Sequence, residues 1–493
     1  MNSPSTLESK KSLLLIELRK KDRAQKLHQL RTKRQDRLSK LVDNSEKAMN
    51  QLIVELCSDQ CNDEKTLRTC TLLLKRYLDD MIAKNQESCQ LSDAINTDVF
   101  INKLVDLAAG FSGCEHVYDI LASLSFLVDL NISRYTQERL ASFILSGGEE
   151  SSLLNQKRLI INNIRLACPK FDESLIQHGF ISYCAKMIAS PANVNIIPGI
   201  LEIAMGIFET VDYSIAQNND DVYFHFMNNN NIEEFGIQLK QCVNNGYEYT
   251  YSIDGIVWLS AHGLIPNPTE FFDYSFIVKL VNVFSKCDAE DAMASHLASL
   301  MYTILNLSQF EIESFHTLCG PSVLPKLRES LIRGNIRLKA YSLLILQKLV
   351  ASCSEFTLTD LTTEAMVTAV YVCGYKTPEL HARVLAYICA LITKCSSSYL
   401  RMFNLNDLLD YLLYIIRTWN SMTRYEVIYH MVDLLAELFD KFREASYDLS
   451  ILSFTEFHRL FSDKELPCHL EELALKLEKH AADRIEDFLE LYF

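Results

Sequence analysis

Residues with catalytic side-chain chemistry are scattered along this chain of 493 amino acids. The closest group is Cys114, Glu115 and His116, a thiol and an imidazole two positions apart. Such a pair can act as nucleophile and general base, but residues i and i+2 do not face each other on a helix. His296 lies alone within an apolar helical pattern. Neither position predicts a catalytic site.

The sequence motifs of common enzyme and metal sites are also missing. The chain contains no G-x-x-x-x-G-K-[ST] loop, G-x-G-x-x-G turn, H-E-x-x-H helix or G-x-S-x-G elbow. Cys57 and Cys61 are one helical turn apart, but no second ligand pair completes a metal site. We predict a non-enzymatic protein without metal or cofactor. An enzyme is the alternative of a different class, which any detected turnover would support.

Charge divides the chain into two parts of opposite sign. Residues 10 to 40 hold twelve Lys or Arg against three acidic residues, a net charge of +9. Residues 41 to 493 hold 36 basic and 59 acidic residues, a net charge of −23. The basic segment is therefore suited to an acidic partner, and long-range attraction would speed their encounter.

Composition indicates a helical protein with reduced thiols. Glycine (14) and proline (10) are scarce, which favours long helices with short connections. The 15 cysteines are odd in number, contain no C-x-x-C pair, and follow no secretory signal, so we expect a protein of the cytoplasm and nucleus. The longest apolar stretch noted, Ile120 to Leu130, includes Asp129 and is too short to cross a membrane.

Apolar residues recur every three or four positions in long segments, the pattern of helices buried on one face. These segments are Leu67 to Ile82, Val117 to Leu130, Leu153 to Ala167, Ile196 to Phe208, Phe276 to Phe284, Ala292 to Leu307, Leu338 to Val350, Val384 to Ile392, and Val427 to Phe439.

The spacing of the helix ends predicts a repeat. Successive end markers are about 44 residues apart on average, the period of armadillo or HEAT repeats. The markers are Leu130, Leu166, Phe208, Leu264, Leu307, Leu349, Ile392 and Leu438. The longest gap holds two Asn-rich stretches, 217–221 and 228–231, which we interpret as loop insertions. We therefore predict an all-α armadillo/HEAT-like superhelix with a long concave groove; unrelated helical domains with regular spacing are the alternative.

The basic segment resembles the importin-β-binding domain of the importin-α family. That domain has a basic cluster, then Glu-Leu-Arg-Lys about five residues later, then further basic residues. Here Lys10 and Lys11 precede Glu17-Leu18-Arg19-Lys20, and Lys33-Arg34-Gln35 stands near the family's final Lys-Arg-Arg. The resemblance implies that an importin-β-type karyopherin binds this helix and that an unidentified protein cargo binds the repeats. The implied contact residues are Lys10, Lys11, Arg19, Lys20, Lys21, Arg23, Lys26, Arg31, Lys33, Arg34 and Arg37.

The repeats depart from the family in the groove. Importin-α repeats carry Trp-x-x-x-Asn on the last helix, whereas this chain has only two tryptophans. Trp258 is followed four residues on by His262, and Tyr302 by Asn306. The resemblance implies a cargo role for these four residues; ordinary helix packing is the alternative.

Three other interpretations of the basic segment stay open. Lys20-Lys21 and Arg31 to Arg34 are nine residues apart and form a possible bipartite nuclear-localisation signal, which would make the protein a cargo. A nucleic-acid-binding arm is disfavoured, since the acidic remainder would repel phosphates. A solvated helix face is the third. We expect a flexible basic helix over 1–45, a repeat array over 46–466 and a capping helix over 467–493.

Overall fold

The computed structural model of the chain describes most of the predicted repeat array. The described residues are 44–57, 64–83, 91, 95–110, 115–128, 130–146, 151–307, 312–352, 360–394, 404–419, 425–444 and 454–493. They form 24 α-helices and, within these ranges, no strand, so the all-α prediction is confirmed. They divide into two compact units, with the boundary between Leu259 and Ser260.

Unit 1 holds the first twelve helices, joined by short connections. They are α1 (Asn44–Cys57), α2 (Glu64–Ala83), α3 (Thr97–Gly110), α4 (Glu115–Leu127), α5 (Arg134–Ser146), α6 (Ser151–Ala167), α7 (Phe171–Gln177), α8 (Phe180–Ala189), α9 (Ile197–Ala216), α10 (Asp220–Asn229), α11 (Ile232–Asn245) and α12 (Tyr249–Ala261).

Unit 2 holds the remaining helices. They are α13 (Pro268–Phe271), α14 (Tyr274–Lys286), α15 (Ala292–Asn306), α16 (Ile312–Arg333), α17 (Ile336–Ser352), α18 (Glu364–Lys376), α19 (His381–Lys394), α20 (Leu405–Arg417), α21 (Glu426–Glu444), α22 (Phe454–Asp463), α23 (Leu466–Ala474) and α24 (Lys479–Tyr492).

Each unit is built from two layers of side-by-side helices. In unit 1, α2, α4, α6 and α9 form layer A, and α1, α3, α5, α7 and α10 form layer B. In unit 2, layer A is α15, α17, α19, α21 and α24, and layer B is α14, α16, α18, α20 and α23. The nine predicted apolar segments all fall on helices, and eight of them lie on layer A. The apolar stripe of each helix is buried between the layers, which is why the period of 3.6 identified them.

Polar contacts between neighbouring layer A helices show the repeat directly. Lys75 Nζ on α2 donates to Asp119 on α4 at 2.6 Å, with 44 residues between the partners. Asn163 on α6 donates to Ser125 on α4 at 3.1 Å, with a separation of 38 residues. In unit 2, Arg383 Nη1 on α19 lies 3.5 Å from the carbonyl oxygen of Ala340 on α17, a separation of 43 residues. These separations match the period that the helix ends predicted.

Two glycines of α9 leave room for arginine side chains of α6. A Cβ at Gly199 would collide with the Arg158 side chain, and a Cβ at Gly206 would collide with the guanidinium of Arg165. The two glycines are seven residues apart on α9, and the two arginines are seven residues apart on α6. Each arginine side chain therefore lies against α9 at one of the glycines.

The Asn-rich stretches form short helix connections instead of long loop insertions: residues 217–219 link α9 to α10, and residues 230–231 link α10 to α11. Residues 220–229 form α10, and Asn230 lies buried against the break between α7 and α8. Its Oδ1 accepts from the backbone N–H of Ile181 at 2.8 Å, and the Asn231 side chain caps α11 by accepting from Glu234 N. Short polar side chains satisfy helix ends as readily as they form loops, so composition could not separate the two.

The C-terminal segment contains two helices where the sequence predicted one. Where a single capping helix was expected over 467–493, the structure has most of α23 and all of α24, separated by a turn at 475–478. Glu478 precedes α24 with extended backbone, which ends the helical path of α23.

One described stretch, Asn193–Ala216, is long and apolar enough to pass a length-and-composition test for crossing a membrane. Most of it is α9, whose apolar residues Ile200, Leu201, Ile203 and Phe208 are buried in the core of unit 1. Packing on several sides accounts for its composition.

Candidate protein-binding face

The basic segment that resembles an importin-β-binding domain lies outside the described residues, as do all of its predicted contact residues from Lys10 to Arg37. The geometry available for a binding site is that of the layer A helices and of α12, which packs on α9.

Trp258 fixes α12 against α9 in unit 1. Its indole ring stacks on Phe208, with ring centroids 4.1 Å apart and planes inclined by 5°. The indole Nε1–H donates to the Asp212 carboxylate, with both oxygens at 3.0 Å. Phe226 from α10 meets the same ring edge-on at 5.7 Å. Trp258 is half-buried, so the structure gives it a packing role and leaves part of the residue accessible.

Asp212 is the neighbour that sequence reasoning missed. It lies 46 residues before Trp258, one repeat earlier on the neighbouring helix, and it is also half-buried. An indole beside a carboxylate attracts a Lys or Arg side chain through both the ring and the charge. The repeat period could have found Asp212, because a partner on the adjacent helix is expected about one period away.

The other groove residues predicted from the sequence are His262, Tyr302 and Asn306. His262 lies in the turn after α12, half-buried and outside the helix. Tyr302 is half-buried on α15, with its ring centroid 6.1 Å from that of Tyr341 on α17. Asn306 is the last residue of α15 and is exposed. A cargo role for these residues stays a prediction.

Layer A of unit 1 also exposes apolar side chains. Phe126 on α4 and Leu166 on α6 are each 51% exposed, and Leu159 on α6 is 39% exposed. The bond from Asn163 to Ser125 joins these two helices beside them. Exposed apolar groups on adjacent helices are typical of protein-binding surfaces.

The groups with strongly shifted pKa values lie in the core. Burial lowers the pKa of Lys157 to about 8 and that of His381 to about 4. Both side chains are nearly inaccessible, at 1% and 3% exposure. His116, half of the thiol–imidazole pair considered above, is exposed and lies 3.9 Å from Asp119, while Cys114 is outside the described residues. Among the described residues, no group of three or more His, Cys, Asp or Glu is placed to hold a metal ion.

The chain is similar in fold to several solved structures. A chain of the crystal complex of SYS-1 and POP-1 aligns with a TM-score of 0.52 at 11% identity, over 100% of both chains. The crystal structure of an engineered protein aligns with a TM-score of 0.51 at 12% identity, over 90% of this chain and 98% of that one. A structure from work on a phosphorylation switch between cadherin and β-catenin gives a TM-score of 0.48 at 10% identity, over 90% of this chain and 98% of that one.

The two alignments with TM-scores above 0.5 support an armadillo-type α solenoid as the fold class, as the repeat period predicted. No protein-family model matches the chain, and no curated protein sequence matches it significantly. At such low identity the structural similarity establishes the fold alone. The importin-α resemblance therefore rests on the sequence of the basic segment.

Proposed function

We propose that this chain is a non-enzymatic protein-binding adaptor that engages an importin-β-type karyopherin through residues 10–37 and a protein partner through layer A. The observation that carries the proposal is the order of parts: a segment of net charge +9 directly precedes an armadillo-type solenoid. Solenoids of this kind present long surfaces suited to protein partners. The resemblance implies transport between cytoplasm and nucleus.

The neighbouring structures give limited support. The SYS-1/POP-1 structure is described as a complex, so a chain of similar fold is found with a protein partner. In this chain the Trp258 and Asp212 pair offers a place for a cationic side chain of such a partner.

The karyopherin part is tested with the full chain. Replacing Arg19, Lys20, Arg31, Lys33 and Arg34 together by alanine should abolish binding to purified importin-β and leave thermal unfolding unchanged. Alanine at the exposed residues Arg134, Lys376 and Arg459 is the control and should leave binding intact. Unchanged affinity in the fivefold variant would reject the proposal.

The alternative, that the protein is itself cargo, makes a different prediction for the same assay. A bipartite signal would bind importin-β only when importin-α is added, because the adaptor then recognises the basic clusters. Direct binding in the absence of importin-α therefore favours the adaptor role.

The partner-binding part is tested at Trp258 and Asp212. Asp212→Asn keeps the shape of the side chain and removes its charge, so it should weaken the binding of a cationic partner without unfolding unit 1. Trp419→Ala, at the half-buried tryptophan of unit 2, is the control. Equal partner recovery by wild type and Asp212→Asn would exclude this site.

A further inference from the structure

Three consecutive layer A helices of unit 2 contain no carboxylate. α15, α17 and α19 together carry five basic residues and no Asp or Glu, in a chain where acidic residues outnumber basic ones by 63 to 48. The five are Arg337, Lys339, Lys348, Arg383 and Lys394. The acidic character of the whole repeat array is therefore reversed on these helices.

Most of these cations are on the surface. Arg337, Arg383 and Lys394 are exposed and Lys348 is half-buried. Lys339 is buried, and its Nζ donates to Thr377 Oγ1 at 3.2 Å, so it belongs to the core. We call the surface of α15, α17 and α19 that bears the other four cations the basic face.

Two arginines of the basic face contact neighbouring residues of α17. The Arg337 guanidinium carbon lies 5.9 Å from the ring centroid of Tyr341, and Arg383 Nη1 lies 3.5 Å from the carbonyl oxygen of the adjacent residue, Ala340. Both arginines therefore contact the same turn of α17. Two guanidinium groups that contact one turn of a helix contribute a positive potential to that surface.

The same arginines stand in unfavourable positions for their own helices. Arg337 is the second residue of α17 and Arg383 the third of α19, where the helix dipole is already positive. A cation in a first turn disfavours the helix, because the helix dipole is positive there. Both the side chains and the two helix ends would attract a carboxylate.

The centre of the basic face is aromatic and apolar. The rings of Tyr302 and Tyr341 are 6.1 Å apart and inclined by 48°, and both residues are half-buried. Leu344, three residues after Tyr341 on α17, and Ala386, three residues after Arg383 on α19, are also half-buried. Such a surface can contact an apolar side chain of a partner, while the cations pair with negative charges that flank this side chain.

Carboxylates lie at the borders of this face. Glu379 is in the turn that precedes α19, and Asp433 and Glu437 lie on α21 close enough to raise the pKa of Cys389 by their charge, after the larger effect of burial. They restrict an acidic ligand to the surface between them, because like charges repel.

We propose that the basic face binds an acidic segment of a partner protein, in which an apolar residue contacts Tyr302 and Tyr341 and flanking carboxylates pair with Arg337 and Arg383. This deepens, and rests on, the proposed role of layer A in binding a protein partner. Its ligand differs in charge from the cationic side chain proposed for the Trp258 and Asp212 pair. Nucleic acid is the other anionic ligand, but the −23 charge of residues 41–493 opposes it.

The proposal is tested by fluorescence anisotropy with the full chain and two labelled peptides. One alternates glutamate with leucine, and the other replaces each glutamate by lysine. The glutamate peptide should bind at low salt and be released as salt is raised. Arg337→Glu with Arg383→Glu should weaken it by about tenfold or more, since each lost pair becomes a repulsion.

The controls separate this face from other sites. Arg459→Glu, an exposed arginine on α22, should leave binding unchanged. Replacing Arg31, Lys33 and Arg34 by glutamate tests the basic segment, which also attracts acidic peptides. If this variant loses peptide binding and the Arg337 and Arg383 variant does not, the proposal is wrong. Preference for the lysine peptide or for a DNA oligonucleotide also overturns it.

Folding and the karyopherin proposal are checked in the same proteins. Thermal unfolding of the double reversal checks that the chain still folds. Arg337→Gln with Arg383→Gln should give an intermediate loss of peptide binding and keeps the test valid if the reversal unfolds. Both variants should still bind importin-β, because that contact is assigned to residues 10–37. Loss of importin-β binding would count against the adaptor proposal and leave the peptide result to judge the basic face.

Discussion

The hydroxyl oxygen of Tyr411 on α20 lies 2.7 Å from Nδ1 of His381 at the start of α19, and both residues are buried. Gly374 on α18 makes room for this pair, because a Cβ there would overlap the Tyr411 hydroxyl. Burial lowers the pKa of His381 and raises the pKa of Tyr411, so both are neutral and the hydroxyl can donate to the imidazole nitrogen. One polar contact thus joins helices of both layers in unit 2.

Tyr411→Phe should destabilise unit 2. Removing the hydroxyl leaves a buried imidazole nitrogen without this hydrogen bond, which costs about 1–3 kcal/mol. Urea unfolding monitored by circular dichroism measures the loss. Tyr414→Phe is the control, because the Tyr414 hydroxyl makes a long and exposed contact, 3.5 Å from the Tyr375 carbonyl oxygen. Equal effects of the two changes would mean that the His381 contact is not stabilising.

The same histidine should make the protein sensitive to acid. Burial, partly opposed by the charge of Glu379, lowers its pKa from 6.5 to about 4 in the folded chain. Between these values the unfolded chain binds more protons, so the free energy of unfolding should fall as pH drops from about 6.5 to about 4, by up to about 3 kcal/mol.

His381→Gln isolates this contribution, because glutamine can accept the Tyr411 hydrogen bond but does not titrate. Its unfolding free energy should change less over that pH range than that of the wild type. Tyr414→Phe, which keeps every histidine, should follow the wild-type slope. A glutamine variant with an unchanged slope would show that His381 does not carry the acid sensitivity.

Asp172 should be a strong stabilising residue of unit 1. It is buried, forms an ion pair with Arg165 on α6 and accepts from Thr210 Oγ1 on α9 at 2.9 Å. Asp172→Ala should cost about 3–5 kcal/mol, because it leaves a largely buried guanidinium without its counter-charge. Glu138→Ala, which removes an exposed partner of Arg134, should cost less than about 0.5 kcal/mol. Similar thermal unfolding of both variants would contradict the assignment.

Sequence patterns predicted the helices of layer A and their repeat, because each helix buries an apolar stripe of one period. The Lys75 to Asp119 and Arg383 to Ala340 contacts, 44 and 43 residues apart, reproduce the spacing of the helix ends. Local periodicity does not determine how far one helix slides along the next, however. The His381 and Tyr411 contact depends on that register, which no single helix encodes.

The candidate site was less predictable than the fold. Trp258 stood out by its rarity, but its carboxylate partner Asp212 and its stacking partner Phe208 belong to the preceding repeat. The basic face was hidden for another reason. Its charges are spread over two helices, and the net charge of the whole array is dominated by acidic residues elsewhere.

Lys157 should make unit 1 more stable in mild alkali. Its ammonium lies 5.6 Å from the ring centroid of Tyr118 and 5.5 Å from that of Tyr183, and the residue is 1% exposed. Burial lowers its pKa from 10.5 to about 8. Above pH 8 the folded chain releases this proton before the unfolded chain does, so the free energy of unfolding should rise with pH toward 10.5.

Lys157→Met fills the same space between the two rings with an uncharged side chain and should remove this rise. The comparison is made by urea unfolding at several pH values, because thiols and tyrosines that titrate in both proteins cancel in the difference. The wild type should approach the variant by up to about 3 kcal/mol as pH increases. Leu159→Met on the same helix, which removes no titrating group, should retain the wild-type slope. Lys157→Met should not share that slope. A wild-type slope in Lys157→Met would mean that the folded chain stabilises the ammonium as strongly as water does, with the two tyrosine rings compensating for its burial.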